Sequence, residues 1–305
     1  MSTSLVTGAT GQQGRATVDA LLARGAKVHA IVRDPTKAAA RELEGLGVSL
    51  FKGDHDDFEA FREAALGCAG IFLNLLERPG NPHPEKQAEG ILAACRDAGV
   101  EHVVVSTAGW VGSREKWDIP ENRNKVSEII PYYEGEILVE DAVRRAGLKS
   151  YTVLRPFWFH SNYLIPTIDF FHPEVRKSGE LVHSYEAGSI FPYINVKDIG
   201  QFAAMALTDP AKFAGEEIEL ASENFTIEEV AEIMSRATGQ HIAVRKATAE
   251  EAAKPSPATQ WHIWANAADL EVDVDALAQK YGYCFTMFEE YLTQEKEQRG
   301  LQYLQ

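Results

Sequence analysis

The segment Thr7-Gly8-Ala9-Thr10-Gly11-Gln12-Gln13-Gly14 spaces its glycines as G-x-x-G-x-x-G. Residues without a Cβ let a chain turn tightly and let backbone N–H groups approach a diphosphate at the positive end of a helix. The expected diphosphate cradle is Gly8, Thr10, Gly11, Gln12, Gln13 and Gly14, with Gly14 allowing the helix to lie close on the strand before it. A loop that merely collects glycine is the bland alternative. Context separates the two, because the turn follows a strand-like run, Ser4 to Thr7, and opens a helical pattern, Gly14 to Arg24.

A second strand, Lys27 to Val32, ends at Arg33-Asp34-Pro35-Thr36-Lys37. A ribose 2′-hydroxyl calls for a carboxylate at that tip, and a 2′-phosphate calls for a cation. Arg33 can take a phosphate bidentately and Lys37 adds a point charge, whereas Asp34 can serve the hydroxyl instead. The pair of cations predicts NADP(H) over NAD(H). Asp54, just past the third strand, is placed to touch an adenine, although Gly53-Asp54 is also ordinary turn chemistry. Farther on, Trp110 follows the fifth strand and Phe157-Trp158-Phe159-His160-Ser161-Asn162-Tyr163 follows the sixth. Aromatic walls with a few polar tips suit a planar ligand, so Trp110, Phe157, Trp158, Phe159 and Tyr163 are expected to line a substrate pocket. Filling a core is their alternative use. His160 can exchange a proton near neutral pH or serve as a satisfied core histidine.

Positioning these residues requires apolar strands that alternate with helices. Val48 to Lys52, Gly70 to Leu75, His102 to Ser106 and Ser150 to Leu154 continue the series, and helices are expected between them. Pro35 is placed to open the helix that runs to about Leu46, and the helix from about Asp57 runs to Leu66. Trp110 to Pro131 reads as a polar loop, within which the charged stretch Glu121 to Glu128 is either a substrate lid or a solvated loop. A helix, Tyr132 to Ala146, follows. Gly179 to Tyr193 reads as a hairpin, Val196 to Leu207 as a helix and Glu216 to Leu220 as a strand. Thr226 with Glu229 makes a capping box, the Pro255 to Pro257 stretch a surface connection, and Phe285 to Arg299 a polar helix. The expected fold is α/β: a Rossmann-type, doubly wound parallel sheet with a smaller, interwoven α+β substrate lobe. The dinucleotide-binding part should span 1–156 with 196–220 returning to it, and the lobe 157–195 and 221–305.

Composition sets the outer bounds. The 305 residues are 45% hydrophobic and 25% charged, enough to bury a core. A net charge of -15 disfavours nucleic acid as a partner. No stretch reaches the roughly 18 apolar residues of a membrane span. Cys68, Cys95 and Cys284 are odd in number and far apart, which argues against a disulfide scaffold or a thiolate metal site. With neither a basic leader nor an apolar h-region at Met1 to Thr7, a cytoplasmic location is expected.

Val6 to Gly14, Val32 to Lys37, Gly53-Asp54, His102 to Ser106, Leu154-Arg155-Pro156 and Val196 to Gly200 together resemble the NmrA-like family of the short-chain dehydrogenase/reductase superfamily. That group includes a fungal nitrogen regulator, NADPH-sensing relatives, quinone oxidoreductases and isoflavone reductase-like enzymes. The resemblance implies NADP(H) at the glycine turn and a nicotinamide near Ser106, Thr107 and Pro156, and Asn74 completes the expected cofactor set. Reductases of the superfamily also commonly place a lysine four residues after a tyrosine, where it lowers the phenol's pKa. Here Tyr132 is followed at that spacing by Glu136, and Tyr133 by Ile137.

Three functions remain open at this stage. The first is an NADPH-dependent reductase of a planar conjugated carbonyl or quinone, its protons drawn from water, Tyr132, Tyr133 or Glu136. The second is a catalytically silent NADP(H) sensor acting through a protein partner. The third is a redox-neutral isomerase, dehydratase or cyclase that uses Glu136 or a histidine as base.

Overall fold

A computed structural model describes residues 2–75, 83–123, 129–252 and 257–304. It folds as two compact units, one comprising Met1–Val111, Tyr132–Pro156 and Val196–Glu219, the other Gly112–Pro131, Phe157–Asn195 and Leu220–Gln305.

The first unit is built on β1 (Thr3–Val6), β2 (Lys27–Val32), β3 (Ser49–Lys52), β4 (Gly70–Asn74), β5 (His102–Ser106) and β6 (Ser150–Pro156), with a further strand at Glu217–Leu220. The seven-stranded parallel sheet runs from Glu217–Leu220 through β6, β5, β4, β1 and β2 to β3. This is the expected doubly wound arrangement, and its order reverses between β1 and β4. Val6 stands beside both Ala30 and Phe72, and Ser106 stands beside both Asn74 and Leu154, so the carboxyl ends of the central strands lie side by side. Covered on both faces, β5 buries every residue, as its unbroken apolar run requires. Leu5, Ile71, Leu73, Val103, Val105 and Val153 pack on one face under Phe61, Ile91, Leu92 and Val139. Helix α1 (Gln12–Ala23) follows β1, and the helix Val196–Thr208 packs closely against it. A Cβ on Gly200 would stand only 2.3 Å from the Ala16 carbonyl carbon.

Pro35 does not open a helix. The Asp34 Oδ1 accepts hydrogen bonds from Thr36 N at 2.9 Å and Thr36 Oγ1 at 2.6 Å, and this side-chain turn delays the helix to Ala38–Gly45. Asp57 caps the helix Phe58–Ala65, accepting from Ala60 N at 3.1 Å.

The second unit holds a three-stranded sheet (Glu223–Phe225, Phe191–Ile194, Trp158–Phe159) and a two-stranded parallel pair (Ala243–Lys246 with Glu180–His183). The expected hairpin over Gly179 to Tyr193 is therefore absent, since its two strands join different sheets. Asn266 ties down the intervening loop through Glu186 N at 2.7 Å and Ser189 Oγ at 2.8 Å, and Glu180–His183 takes its partner from far along the chain. The expected loop at Trp110 to Pro131 contains the short helices Arg114–Trp117 and Pro120–Arg123. The Thr226 capping box is formed, with Glu229 Oε2 accepting from Thr226 N at 2.8 Å. Pro255, and positions 124–128 of the charged stretch, lie outside the described residues.

Candidate nucleotide and substrate site

The glycine turn is shaped by contacts that no side chain could share. Gly8 adopts φ +60°, a left-handed conformation costly to any residue with a Cβ, and its carbonyl accepts the Gly11 N–H at 2.8 Å. A Cβ on Gly14 would meet the Gly8 carbonyl oxygen at 2.2 Å and the Ala9 nitrogen at 2.8 Å. Gly14 is thus the contact through which α1 reaches the turn. Gly11 is the N-cap of α1 and makes no side-chain capping bond, while Thr10, Gly11 and Gln12 are exposed. The positive end of a twelve-residue helix therefore opens on a surface fitted to an anion.

Hydrogen bonds lace the neighbouring strand ends to this turn. Asn74 N donates to Thr7 Oγ1 at 2.8 Å, and the buried Ser106 hydroxyl donates to Gln13 Oε1 at 2.6 Å. Gln13 is thereby a bridge between α1 and the end of β5. Asp54 Oδ1 accepts from Asp56 N at 3.0 Å, so part of its carboxylate shapes the turn.

At the tip of β2, Arg33 and Lys37 are both exposed. Asp34 gives one carboxylate oxygen to Thr36, and those hydrogen bonds hold its pKa below the usual range, with the charges of Lys37 and Lys52 acting in the same direction. Lys52, which the sequence reading overlooked, ends β3 opposite Val32 and adds a further cation at this tip. Its signal was available: a lysine as the last residue of the strand adjoining Arg33.

The loop after β5 is held along its length. Thr107 N donates to Leu154 O at 2.9 Å, Thr107 Oγ1 to Glu140 Oε1 at 2.9 Å, and Gly109 N to Pro156 O at 3.0 Å. Tyr133 is buried and its hydroxyl donates to Gly109 O at 2.8 Å. Burial, joined by the nearby charges of Tyr132, Glu219 and Glu136, raises its pKa well above the ordinary phenol value. Its hydroxyl proton is thereby engaged in holding the loop. Glu136 is 2% exposed and Tyr132 partly exposed.

Behind the loop, Arg155 joins three carboxylates: Glu140 (2.9 and 2.7 Å), Glu217 (2.5 Å) and Glu219 (3.1 Å). Arg144 adds bonds of 2.7 Å to both Glu140 and Glu217. Burial pushes Glu219 up to about 7 despite the pull of Arg155 and the Trp110 amide. No motif marked this network beforehand, because its members come from Glu140, Arg155 and the strand Glu217–Leu220.

The aromatic segment after β6 belongs to the second unit and is largely interior there. His160 is fully buried, its ring centre 4.9 Å from that of Phe288, and burial drives its pKa down to about 3. These surroundings fit the second of its two expected uses, a neutral core histidine. Tyr163 is likewise buried, stacked on His172 at 5.4 Å, with its carbonyl accepting from Tyr303 Oη at 2.9 Å. Its burial fits the core-filling alternative. Phe157 is buried too, whereas Trp158 and Phe159 are partly exposed, Trp158 packing edge-on to Phe171 at 4.7 Å. Trp110, in the first unit, remains partly exposed. No helix among the described residues is long and apolar enough to cross a membrane, and no group of three or more metal-ligating side chains occurs among them.

The profile of the NmrA-like family matches residues 1–290. An NmrA-like family domain-containing protein of Dictyostelium discoideum is 26% identical over 253 residues, covering 78% of this chain and 78% of its own. A solved NADPH-dependent quinone oxidoreductase of Escherichia coli, complexed with NADPH, superposes with a TM-score of 0.76 at 20% identity over 95% of this chain and 99% of its own. NmrA, a negative transcriptional regulator solved in complex with NAD, superposes with a TM-score of 0.76 at 18% identity over 99% of this chain and 98% of its own.

Proposed function

We propose that this chain, which belongs to the NmrA-like family, is an NADPH-dependent oxidoreductase acting on a planar conjugated carbonyl or quinone. The observation that carries the reading is the pairing of the Gly8–Gly14 cradle with a β2 tip where Asp34 is tied to Thr36 while Arg33 and Lys37 are exposed. Gly8, Thr10, Gly11, Gln12, Gln13 and Gly14 would hold the diphosphate. Arg33 and Lys37, with Lys52, would hold the 2′-phosphate, and Asp54 would adjoin the adenine. Asn74, Ser106, Thr107 and Pro156 would flank the nicotinamide, which supplies a hydride when bound.

The chain's own contribution to the chemistry is mainly positional. Tyr133 and Glu140 hold the 107–109 loop through Gly109 O and Thr107 Oγ1. Tyr132 is the partly exposed phenol of the pair and is assigned as proton source, with water as the alternative donor. A quinone suits a site with so little acid catalysis, because its reduced product is a resonance-stabilised phenolate that forms without a strong acid. Two relatives support an oxidoreductase and a nicotinamide cofactor: the quinone oxidoreductase with NADPH, and an NmrA-like family domain-containing oxidoreductase of Penicillium ochrochloron.

The sensor reading is favoured by one observation, the commitment of the Tyr133 hydroxyl to a backbone carbonyl. In that reading a protein partner replaces the substrate. Purified chain mixed with NADPH and a panel of quinones and enones separates the two. NADPH oxidation in proportion to protein concentration is expected. Tight NADPH binding without oxidation across the panel assigns the sensor, and product formation at constant NADPH assigns a redox-neutral enzyme.

A further inference from the structure

Trp110 is the one non-glycine residue with positive φ among those described, at 59°. A left-handed conformation is strained for a bulky residue and persists only where its surroundings over-determine it; such residues concentrate at ligand sites. Here the surroundings are explicit. Glu219 Oε2 accepts the Trp110 N–H at 2.6 Å, and Glu219 Oε1 is held by Arg155 Nη1 at 3.1 Å. Arg155 is itself fixed bidentately by Glu140, which also takes the Thr107 hydroxyl. The same buried network therefore grips the loop at Thr107 and at Trp110, on either side of the Gly109 carbonyl that Tyr133 holds. Glycine at position 110 would close such a loop without strain. A partly exposed tryptophan stands there instead, in the loop that follows the carboxyl end of β5, the end at which open parallel sheets bind their ligands.

We infer that Glu219 is a positioning residue that fixes the Trp110 indole as the platform on which a planar substrate ring stacks. The substrate half of this inference rests on the oxidoreductase reading; the link from Glu219 to Trp110 does not.

The full chain labelled with 5-fluorotryptophan gives one fluorine resonance for each of its five tryptophans, and Trp110→Phe identifies the one of interest. Glu219→Ala should shift or broaden the Trp110 resonance while leaving the other four in place. Glu219→Gln, whose carboxamide oxygen can still accept the amide proton, should restore it. Menadione, as the planar probe, should move the Trp110 resonance in the parent protein, bind at least about threefold more weakly to Glu219→Ala, and recover with Glu219→Gln. Trp110→Gly, free of the left-handed penalty, should keep or raise the melting temperature while losing menadione affinity, and it serves if Glu219→Ala does not fold. An unmoved Trp110 resonance in Glu219→Ala overturns the inference. So does menadione that binds without moving Trp110, that fails to bind, or that binds Glu219→Ala and the parent equally. NADPH titrated calorimetrically into the same samples should bind all of them alike; no NADPH binding to the parent would defeat the oxidoreductase reading independently of the Trp110 result.

Discussion

Replacing Gly14 by alanine tests the cradle at its tightest point. The new methyl would stand 2.2 Å from the Gly8 carbonyl oxygen and 2.4 Å from its carbon, whereas ordinary van der Waals contact begins near 3.4 Å. Both obstacles are backbone, so no side chain can swing away, and α1 and the turn must separate by roughly 1 Å. Overpacking of this kind costs about 1–3 kcal/mol of stability. Its effect on binding should be sharper, because the amides at the start of α1 move away from the diphosphate they face, and a displacement of about 1 Å can cost on the order of a hundredfold. Calorimetric titration should show NADPH and NADH weakened together by about tenfold to a hundredfold, since both carry the diphosphate. Gly45→Ala is the control: its added methyl meets nothing within 4 Å inside the helix Ala38–Gly45, so binding should be unchanged. Parent-like affinity in Gly14→Ala, measured on a folded protein, would refute the assignment of the turn to a diphosphate.

Other expectations follow from single contacts. Lys52→Ala should reduce the preference for NADPH over NADH by about 1.4-fold to fivefold, the equivalent of the 0.2–1 kcal/mol typical of an exposed ion pair; an unchanged ratio of binding constants removes Lys52 from the site. Tyr133→Phe leaves the buried Gly109 carbonyl without its donor and should cost about 1–3 kcal/mol in denaturant unfolding, while the pH profile of any turnover stays put. A lost alkaline limb in that profile would return Tyr133 to the proton-transfer role. In the second unit, burial pushes His172 down to about 4 and His160 to about 3, so both are neutral when folded, whereas an unfolded histidine takes up a proton near its ordinary value of 6.5. The unfolded state therefore binds more protons between those limits, and stability should be complete above pH 6.5 and fall steadily toward pH 4. Neither ring nitrogen of His172 meets a hydrogen-bond partner among the described residues, so His172→Phe should flatten the pH dependence of the melting temperature. A slope equal to the parent's would assign it to other groups.

What could be read in advance was what local chemistry dictates. Lys27–Val32 and His102–Ser106 match their apolar runs residue for residue, and the Thr226 capping box forms as its spacing requires. The parallel, doubly wound character of the sheet followed from strands that each precede a helix, although their order did not. Errors arose where two local rules competed or where the partner lay far along the chain. At Pro35 the rule for opening a helix lost to the Asp34 side-chain turn. Glu180–His183 has the alternation of a hairpin strand, but nothing in it names Ala243–Lys246 as its partner. The site shows the same division. Glycine geometry and the cations after β2 are short-range signals and were legible. The Gln13 to Ser106 bond and the Arg155 network join residues up to 93 positions apart, which spacing cannot reveal. His160 and Tyr163 show the converse limit: an aromatic run with polar tips reads alike whether it lines a cavity or fills a core, and only burial distinguishes them.

The central claim is that a guanidinium at the β2 tip selects a phosphorylated ribose beside the glycine cradle. Its most direct test is calorimetric titration of NADPH and NADH into the parent protein and Arg33→Ala. The parent should prefer NADPH. Arg33→Ala should lose about tenfold to a hundredfold in NADPH affinity, the equivalent of the 1.5–3 kcal/mol of a hydrogen bond to a charged group, while its affinity for NADH stays within about twofold. Equal losses for both coenzymes, or no binding of either to the parent, would contradict it.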